Sequence, residues 1–179
     1  MMPAKDGTNR RTIARPLGGA VTILVSAEDS GGSMSMIETL SPPGSGPTYH
    51  RHSREDETFY VVSGTAEILL ETRSFQCKAG DHIFGPRNIF HTYRNVGQDP
   101  LKLVIVYCPG GFEQSFLDSE EMLQAGKNQE DVGRMLSERY GLTRKPLPTK
   151  TRPGPNAAAD PPRLRGSPPH CSASPHADE

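Results

Sequence analysis

The feature that most constrains the fold is a series of short apolar or alternating runs, separated by turn residues, between positions 21 and 107. Many of these runs are rich in β-branched residues, and residues 34–40 alternate apolar and polar side chains for most of their length. Such alternation is typical of strands with one buried face. Many short strands at this spacing predict an all-β sandwich or barrel. The predicted strands cover residues 21–26, 34–40, 48–52, 58–62, 66–71, 74–77, 82–85, 90–95 and 101–107.

The stretch from Gly44 to Gly64 carries a pair of histidines followed by an acidic run. It reads G-S-G-P-T-Y-H-R-H-S-R-E-D-E-T-F-Y-V-V-S-G. Residues i and i+2 of a strand share one face, so the imidazoles of His50 and His52 can point at the same spot. Glu57 begins the next predicted strand, and pairing between neighbouring strands can bring its carboxylate to that spot.

A second block, residues 80–95, adds a third histidine. It reads G-D-H-I-F-G-P-R-N-I-F-H-T-Y-R-N, and His91 lies on a predicted strand that follows a turn. Three imidazoles and one carboxylate form a mixed nitrogen and oxygen ligand set that suits Fe, Mn, Co, Ni, Cu or Zn and can leave coordination positions open. The sequence therefore predicts one divalent transition metal per chain, of unspecified identity.

Both blocks resemble the signatures of the cupin family. The first fits the pattern G-x5-H-x-H-x4-E-x6-G at every fixed position, from Gly44 to Gly64. The second is similar to G-x5-P-x-G-x2-H-x3-N and begins at Gly80, except that Asn88 stands in place of the family's second glycine. Asparagine tolerates a positive φ better than other non-glycine residues, so the turn is expected to survive this exchange.

The resemblance covers roughly residues 33–108 and implies a single-domain (type 2) cupin. Its fold would be a double-stranded β-helix, also described as a jelly-roll barrel. The metal would lie inside this barrel. The implied ligands are His50, His52, Glu57 and His91.

The spacing to the last glycine of the first signature selects Glu57 from the acidic run. Glu57 is also the predicted catalytic residue, a general base that takes a proton from the substrate. Glu55 and Asp56 are interpreted as residues that cap the turn in water, and His82 as a strand residue that faces solvent or a polar partner. The predicted barrel lining is apolar and suits a hydrophobic or aromatic substrate. The lining candidates are Phe59, Phe84, Phe90, Tyr93 and Ile105, with Phe112 and Phe116 at one mouth.

Charge and composition exclude several classes of partner. The formal net charge is −1, so nothing favours nucleic acid or an anionic membrane surface. No run approaches the length of a membrane span, and residues 1–15 lack the apolar segment of a signal peptide. Cys77, Cys108 and Cys171 lack metal-type spacing and are expected to be reduced thiols. These features predict a cytoplasmic protein with a small-molecule substrate, and a homodimer is expected by resemblance alone.

The pattern changes to helical spacing after residue 110, and three residues of the last helical segment, Val132, Met135 and Leu136, fall on one face. Residues beyond 145 are rich in Pro, Ala, Arg and Ser without apolar periodicity, which predicts disorder. Helical spacing covers residues 112–117, 120–125 and 131–140. The predicted organisation is a flexible N-terminus over 1–16 with a short strand near its end, a barrel over 17–110, helices packed on the barrel over 111–145, and a disordered tail over 146–179.

The segment after the barrel reads G-F-E-x-x-F and is followed by a helix that ends in R-Y-G-L. This order resembles the bacterial single-domain relatives of quercetin dioxygenase, and it implies a metal-dependent dioxygenase acting on a phenolic, enolic or other natural-product-like molecule. Two alternatives stay open. Similar small cupins are natural-product tailoring enzymes, in which the metal is a Lewis acid for cyclisation, isomerisation, dehydration or decarboxylation. Others are ligand-binding barrels without enzymatic activity.

Overall fold

The structure is a computed structural model, and it describes residues 10–15 and 19–154. The strands are β1 (Arg11–Ala14), β2 (Ala20–Val25), β3 (Ser35–Ser41), β4 (His50–His52), β5 (Asp56–Ser63), β6 (Thr65–Leu70), β7 (Arg73–Lys78), β8 (His82–Gly85), β9 (His91–Asn95), β10 (Leu101–Cys108), β11 (Leu142–Arg144) and β12 (Arg152–Pro153). The helices are α1 (Gln114–Gln124) and α2 (Gln129–Tyr140).

The described strands form two six-stranded sheets. The first sheet has the order β1-β2-β3-β10-β5-β8, and the second has the order β11-β4-β9-β6-β7-β12. Strands that are consecutive in the chain often lie in different sheets: the chain passes from β3 to β4 and from β4 to β5 between the two layers. The all-β prediction is therefore confirmed, and the histidines and Glu57 come from opposite layers.

The core lies between the two sheets, and strands such as β3 and β10 alternate buried and more accessible side chains. Strand β10 does so over all eight of its residues, which is the period expected of a strand with one buried face. The largest fully buried apolar side chains come from both layers and enclose the interior of the barrel. They are Ile37, Phe59, Val61, Ile68, Leu101 and Leu103.

All the strands predicted between residues 21 and 107 are present, with ends that differ by at most two residues. The turn before β9 confirms the argument about Asn88, whose φ is +66°. Gly64, the last glycine of the first block, has a φ of +88°. A Cβ atom there would lie 2.9 Å from Cα of Leu101, so both the conformation and the close approach of the chains require glycine.

The two helices follow β10. Helix α1 (Gln114–Gln124) is one continuous helix, where the spacing predicted two segments over 112–117 and 120–125. Helix α2 begins at a capping box in which Asn128 and Asp131 each accept from the other's backbone N–H, and it ends at Gly141 in the left-handed conformation. The predicted face of Val132, Met135 and Leu136 is buried.

Two short strands near the end of the described chain were not predicted. Strand β11 pairs with β4, so that Leu142 lies opposite His52 and Arg144 opposite His50. Strand β12 pairs with β7, although residues from 146 onwards were predicted to be disordered. The prediction therefore differs from the structure over 146–154, because a two-residue strand depends on a distant partner rather than on its own periodicity. Residues 155–179 lie outside the described part.

The remaining predictions concern the N-terminus and the thiols. The short strand predicted near residue 12 is present as β1, and the rest of the predicted flexible segment lies outside the described residues. Cys77 is a buried free thiol, Cys108 Sγ lies 3.5 Å from the carbonyl oxygen of Ser33, and Cys171 lies outside the described residues. Within residues 10–15 and 19–154, neither helix is long and apolar enough to cross a membrane.

Candidate metal centre

Four side chains converge between the sheets at one end of the barrel. His50 and His52 share a face of β4, and His91 on β9 lies directly opposite His50 in the strand register. Glu57 enters from β5 in the other sheet, where it lies opposite Tyr107. The i, i+2 spacing of the two histidines thus sets them on one wall, and the facing sheet supplies the carboxylate.

The four side chains are close enough to share one ion. One potential ligand atom from each of His50, His52, Glu57 and His91 lies within 4.8 Å of all the others. Glu57 Oε2 is 2.8 Å from His91 Nε2 and 3.2 Å from His52 Nε2. All four residues are buried. The structure therefore brings together the predicted residues, and their role as ligands stays a prediction.

Two of the histidines are oriented by the backbone. His50 Nδ1 is 2.6 Å from the carbonyl oxygen of Thr48, and His91 Nδ1 is 2.9 Å from that of Ile89. A carbonyl can only accept, so Nδ1 carries a proton in both rings, which leaves Nε2 as the nitrogen available to a metal ion. Hydrogen bonds of this kind fix the tautomer and the ring orientation of metal-ligating histidines.

The electrostatic environments of the four groups differ sharply. Burial and the neighbouring His91 lower the pKa of His50 to about 3. Burial alone would also lower the pKa of His52, but the carboxylates of Glu55 and Glu57 outweigh it and raise this pKa to about 9. Burial would raise the pKa of Glu57, whereas the imidazoles of His52 and His91 hold it well below its usual range. In the absence of an ion, Glu57 is therefore ionised and His50 is neutral at pH 7.

Glu55 is not the solvated residue that the sequence predicted, and this prediction is wrong. Its side chain is buried, and Glu55 Oε2 lies 3.6 Å from His52 Nδ1. The chain turns inward immediately after β4, so a residue three positions after His52 packs behind the ring. Asp56 also has a structural partner, since it accepts hydrogen bonds from the backbone and guanidinium of Arg87, and it does not simply cap the turn in water.

The donor set fits a divalent transition metal. Both ring nitrogens of His52 are buried and form no hydrogen bond of good geometry with a described residue, although carboxylate oxygens of Glu57 and Glu55 lie 3.2 Å and 3.6 Å from them. A bound ion would satisfy such a buried ring nitrogen together with the carboxylate. Nitrogen or oxygen ligands at about 2.1 Å from an ion lie up to about 4.2 Å apart. The observed spread of 4.8 Å therefore needs a contraction of only a few tenths of an ångström per ligand. His50, His52, Glu57 and His91 are able to hold such an ion.

A cavity of about 790 Å³ opens onto this cluster. His50 and Glu57 lie in its wall, and its volume is that of a pocket for a small organic molecule. Of the residues predicted to line the barrel, Tyr93 and Ile105 do so, and Phe112 and Phe116 lie in the wall as expected.

Three of the predicted lining residues lie elsewhere. Phe59 is fully buried in the core, with its ring centroid 5.7 Å from that of His91. Phe84 is exposed on the outer face of its sheet, and Phe90 packs against Tyr49 in a separate cluster. The face of a strand that an aromatic residue occupies is decided by register, which these short runs do not reveal. His82 is exposed, as predicted.

The sequence did not predict Tyr107 as a residue of the site. Tyr107 lines the cavity beside Glu57, and its ring centroid is 5.0 Å from that of Phe112. Burial and the negative charge of Glu57 raise the pKa of its hydroxyl well above the usual value, so Tyr107 stays protonated. The available signal was the alternation of β10, which places Tyr107 on the same face as Ile105.

The two facing sheets and the enclosed histidine–carboxylate cluster define a small β-barrel with a candidate metal site inside. Residues 36–107 match the sequence family described as the cupin domain, and all four cluster residues lie within this match. The chain therefore contains a cupin domain. The resemblance stated from the two signatures and the predicted double-stranded barrel with C-terminal helices are confirmed.

Relatives extend this result without assigning an activity. The uncharacterised protein MJ1618 of Methanocaldococcus jannaschii is 32% identical over 79 residues, which are 44% of this chain and 63% of that protein. Quercetin 2,3-dioxygenase of Bacillus subtilis is 29% identical over 94 residues, which are 52% of this chain and 28% of that enzyme. The chain thus spans less than two thirds of the length of each of these curated relatives.

A solved structure shows the same fold. The structure of KdgF from Halomonas sp. aligns with a TM-score of 0.52 at 21% identity, over 58% of this chain and 90% of that chain. A likeness at this level of identity concerns the arrangement of the strands alone.

Proposed function

We propose that this protein is a metal-dependent oxidoreductase, a dioxygenase that acts on an apolar small molecule with a phenolic or enolic hydroxyl. The observation that carries the proposal is the convergence of three histidines and one carboxylate at the inner end of a cavity lined by apolar side chains. The similarity to quercetin 2,3-dioxygenase over 94 residues supports the choice of reaction class.

In this proposal His50, His52, Glu57 and His91 hold one redox-active divalent ion. When bound, such an ion activates a coordinated enolate or phenolate and dioxygen for oxygen insertion. Nδ1 of His50 and of His91 donates to a backbone carbonyl, so Nε2 is the nitrogen of each ring that would bind the ion. The protein therefore offers these ligands in the required tautomer.

Glu57 is proposed to accept the proton of the substrate hydroxyl. It lines the cavity, whereas the other carboxylate near His52, Glu55, does not. The low pKa of Glu57 makes it a weak base, which suits a hydroxyl that becomes acidic beside a bound cation. Glu57 Oε2 lies within hydrogen-bond distance of His91 Nε2, and this contact orients the carboxylate toward the histidines.

Tyr107 is proposed to position the substrate oxygen. Its hydroxyl stays protonated beside Glu57, and a buried phenol can donate one hydrogen bond to an oxygen in the cavity. Phe112 lies at the same end, with its ring centroid 4.2 Å from that of His52. The aromatic rings of Tyr107 and Phe112 exclude water from this end of the cavity, which strengthens electrostatic interactions there.

The proposal is tested by elemental analysis of protein purified without chelators or a metal-affinity tag, followed by oxygen-electrode assays with flavonol and enolic substrates. About one equivalent of Fe, Mn, Co, Ni or Cu per chain, with substrate-dependent oxygen uptake that is lost on chelation and restored by the metal, is the expected result. Zinc alone without oxygen uptake would replace this proposal with a Lewis-acid enzyme. No metal even after reconstitution would replace it with a ligand-binding barrel.

A further inference from the structure

The outer part of the same cavity is basic. Arg15 and Arg144 both lie in its wall, although they come from opposite ends of the described chain. On β11, Arg144 is two positions after Leu142. Arg15 is two positions after Ile13 and directly follows Ala14, the last residue of β1. Leu142 and Ile13 are buried and line the cavity, and strand alternation turns the two arginines to the same side.

Neither guanidinium forms a salt bridge with a carboxylate in the described part of the chain. The guanidinium carbon of Arg15 lies 5.5 Å from the centroid of the Phe116 ring. Glu120 also lines this part of the cavity, but its Oε2 is 3.4 Å from the guanidinium of Arg11. The Glu120 carboxylate is therefore paired with Arg11, and neither Arg15 nor Arg144 has a carboxylate partner among the described residues.

The two arginines also repel each other. Burial and the positive charge of Arg15 lower the pKa of Arg144. Both side chains are reached by solvent, so this repulsion is screened, and a pair of like charges at a cavity mouth adds no stability to the fold. A planar guanidinium is the side chain best suited to bind carboxylate or phosphate oxygens in two parallel hydrogen bonds.

Apolar side chains lie between the Arg15 guanidinium and the metal centre. The guanidinium lies over the Phe116 ring, which contacts the Phe112 ring, and Phe112 packs against His52. Arg144 starts beside His50 in the strand register, and its guanidinium extends to Gly133 of α2. The apolar wall residues come from β1, β2, α1, α2 and the segment before α1, and they are Ile13, Val21, Phe112, Phe116, Val132 and Leu136. A ligand in the cavity therefore meets two guanidinium groups, an apolar wall, and His50 with Glu57.

We propose that Arg15 and Arg144 form a subsite for an organic anion, so that the substrate is an amphipathic molecule with an apolar or aromatic body and an anionic oxygen group. This inference rests on the proposed function, because the end of the ligand remote from the anion is the one presented to Glu57 and the histidines. The anionic group binds at the cavity mouth, and the hydroxyl-bearing end reaches the inner end.

The test uses two fluorescent probes with one scaffold, 1-pyrenebutyrate and 1-pyrenebutanol, which end in a carboxylate and a hydroxyl respectively. Each is titrated into the wild-type chain and into Arg15→Gln and Arg144→Gln. The wild type is expected to bind the carboxylate about tenfold more tightly, and each variant to lose about threefold to tenfold of that preference. Binding of the alcohol is expected to change by less than about twofold.

Arg73→Gln is the matched control, since it removes the same charge from β7, away from the cavity. Equal binding of both probes by the wild type, or an equal loss of preference in Arg73→Gln, would overturn the subsite. Arg144→Lys keeps the charge and is expected to retain most of the preference, so a loss seen in Arg144→Gln is then due to charge rather than to misfolding.

A titration of metal-free protein separates this inference from the proposed function. A preference for the carboxylate that survives chelation supports the arginine subsite, and it does so even if no oxygen uptake is ever found. A preference that disappears with the metal but persists in both arginine variants would place the anion at the metal centre and overturn the subsite.

Discussion

The candidate metal centre and the segments that cover the barrel after residue 111 are built in different ways. Three of the four residues in the centre, His50, His52 and Glu57, lie within one short stretch of chain, and all four are buried. Among the covering segments, β11 and β12 pair with β4 and β7, which are far away in the sequence, and α1 packs on β1. Spacing along the chain thus brings together most of the centre, whereas long-range pairing places the cover.

The largest effect is expected from His91→Ala, which tests whether the four residues of the centre act as one unit. His91 is oriented by the backbone carbonyl of Ile89. Its loss is expected to weaken metal affinity by roughly a hundredfold or more, since removal of an outer partner alone costs about 10–100-fold. Metal content per chain and oxygen uptake should both fall to background.

His82→Ala is the matched control for this variant. His82 lies on β8 and is exposed, so it should keep both metal and activity. Full metal content with normal turnover in His91→Ala would contradict the proposed centre, because the four residues would then not act as one site.

A smaller effect is expected from Glu55→Gln, which tests whether the centre extends beyond the residues of the sequence signature. The Glu55 carboxylate lies beside His52. Its negative charge stabilises a divalent ion bound to that ring more than it stabilises the single proton that competes for the same nitrogen. Its removal is expected to weaken metal affinity by about tenfold. Competition with a chelator of known affinity measures this change.

The control for Glu55→Gln is Glu67→Gln, on the accessible face of β6. Unchanged metal affinity in Glu55→Gln would show that the buried carboxylate serves packing alone. The centre would then consist only of the residues that the sequence spacing identified.

The smallest effect is expected from the outermost covering strand. Arg152 and Gly154 donate backbone hydrogen bonds to Thr72 and Ser74 of the neighbouring segment, and Gly154 lies against the buried Phe75 ring. A chain that ends at residue 148 should therefore be less stable than one that ends at 154, by about 1–2 kcal/mol. Metal content should be the same in both.

Thermal unfolding of the two shortened chains measures this difference, because both lack residues 155–179. A midpoint lower by about 2–4 °C for each kcal/mol is expected in the shorter chain. Identical midpoints would show that β12 adds no stability and that β11 is the last covering segment that stabilises the barrel.

Much of the barrel could be predicted because its determinants are local. The alternation in residues 34–40 and 101–107 marks strands by itself, and Asn88 adopts the positive φ that its residue type allows. The residues that were misjudged depend on contacts between distant segments. Phe84 and Phe90 have strand composition, but only the register decides that one faces solvent and the other packs on Tyr49.

By itself the sequence determined the strands between residues 21 and 107, the apolar face of α2 and the shared face of His50 and His52, because periodicity and spacing act within a few residues. The resemblance to the cupin signatures added Glu57 and His91 to this pair. Only the tertiary structure decided that Glu55 is buried behind His52, that Tyr107 lies beside Glu57, and that two arginines from opposite ends of the described chain face one cavity. These relations depend on which strands pair and on which segments close over the barrel. No local pattern in the chain encodes such pairings, since they arise from contacts between distant residues.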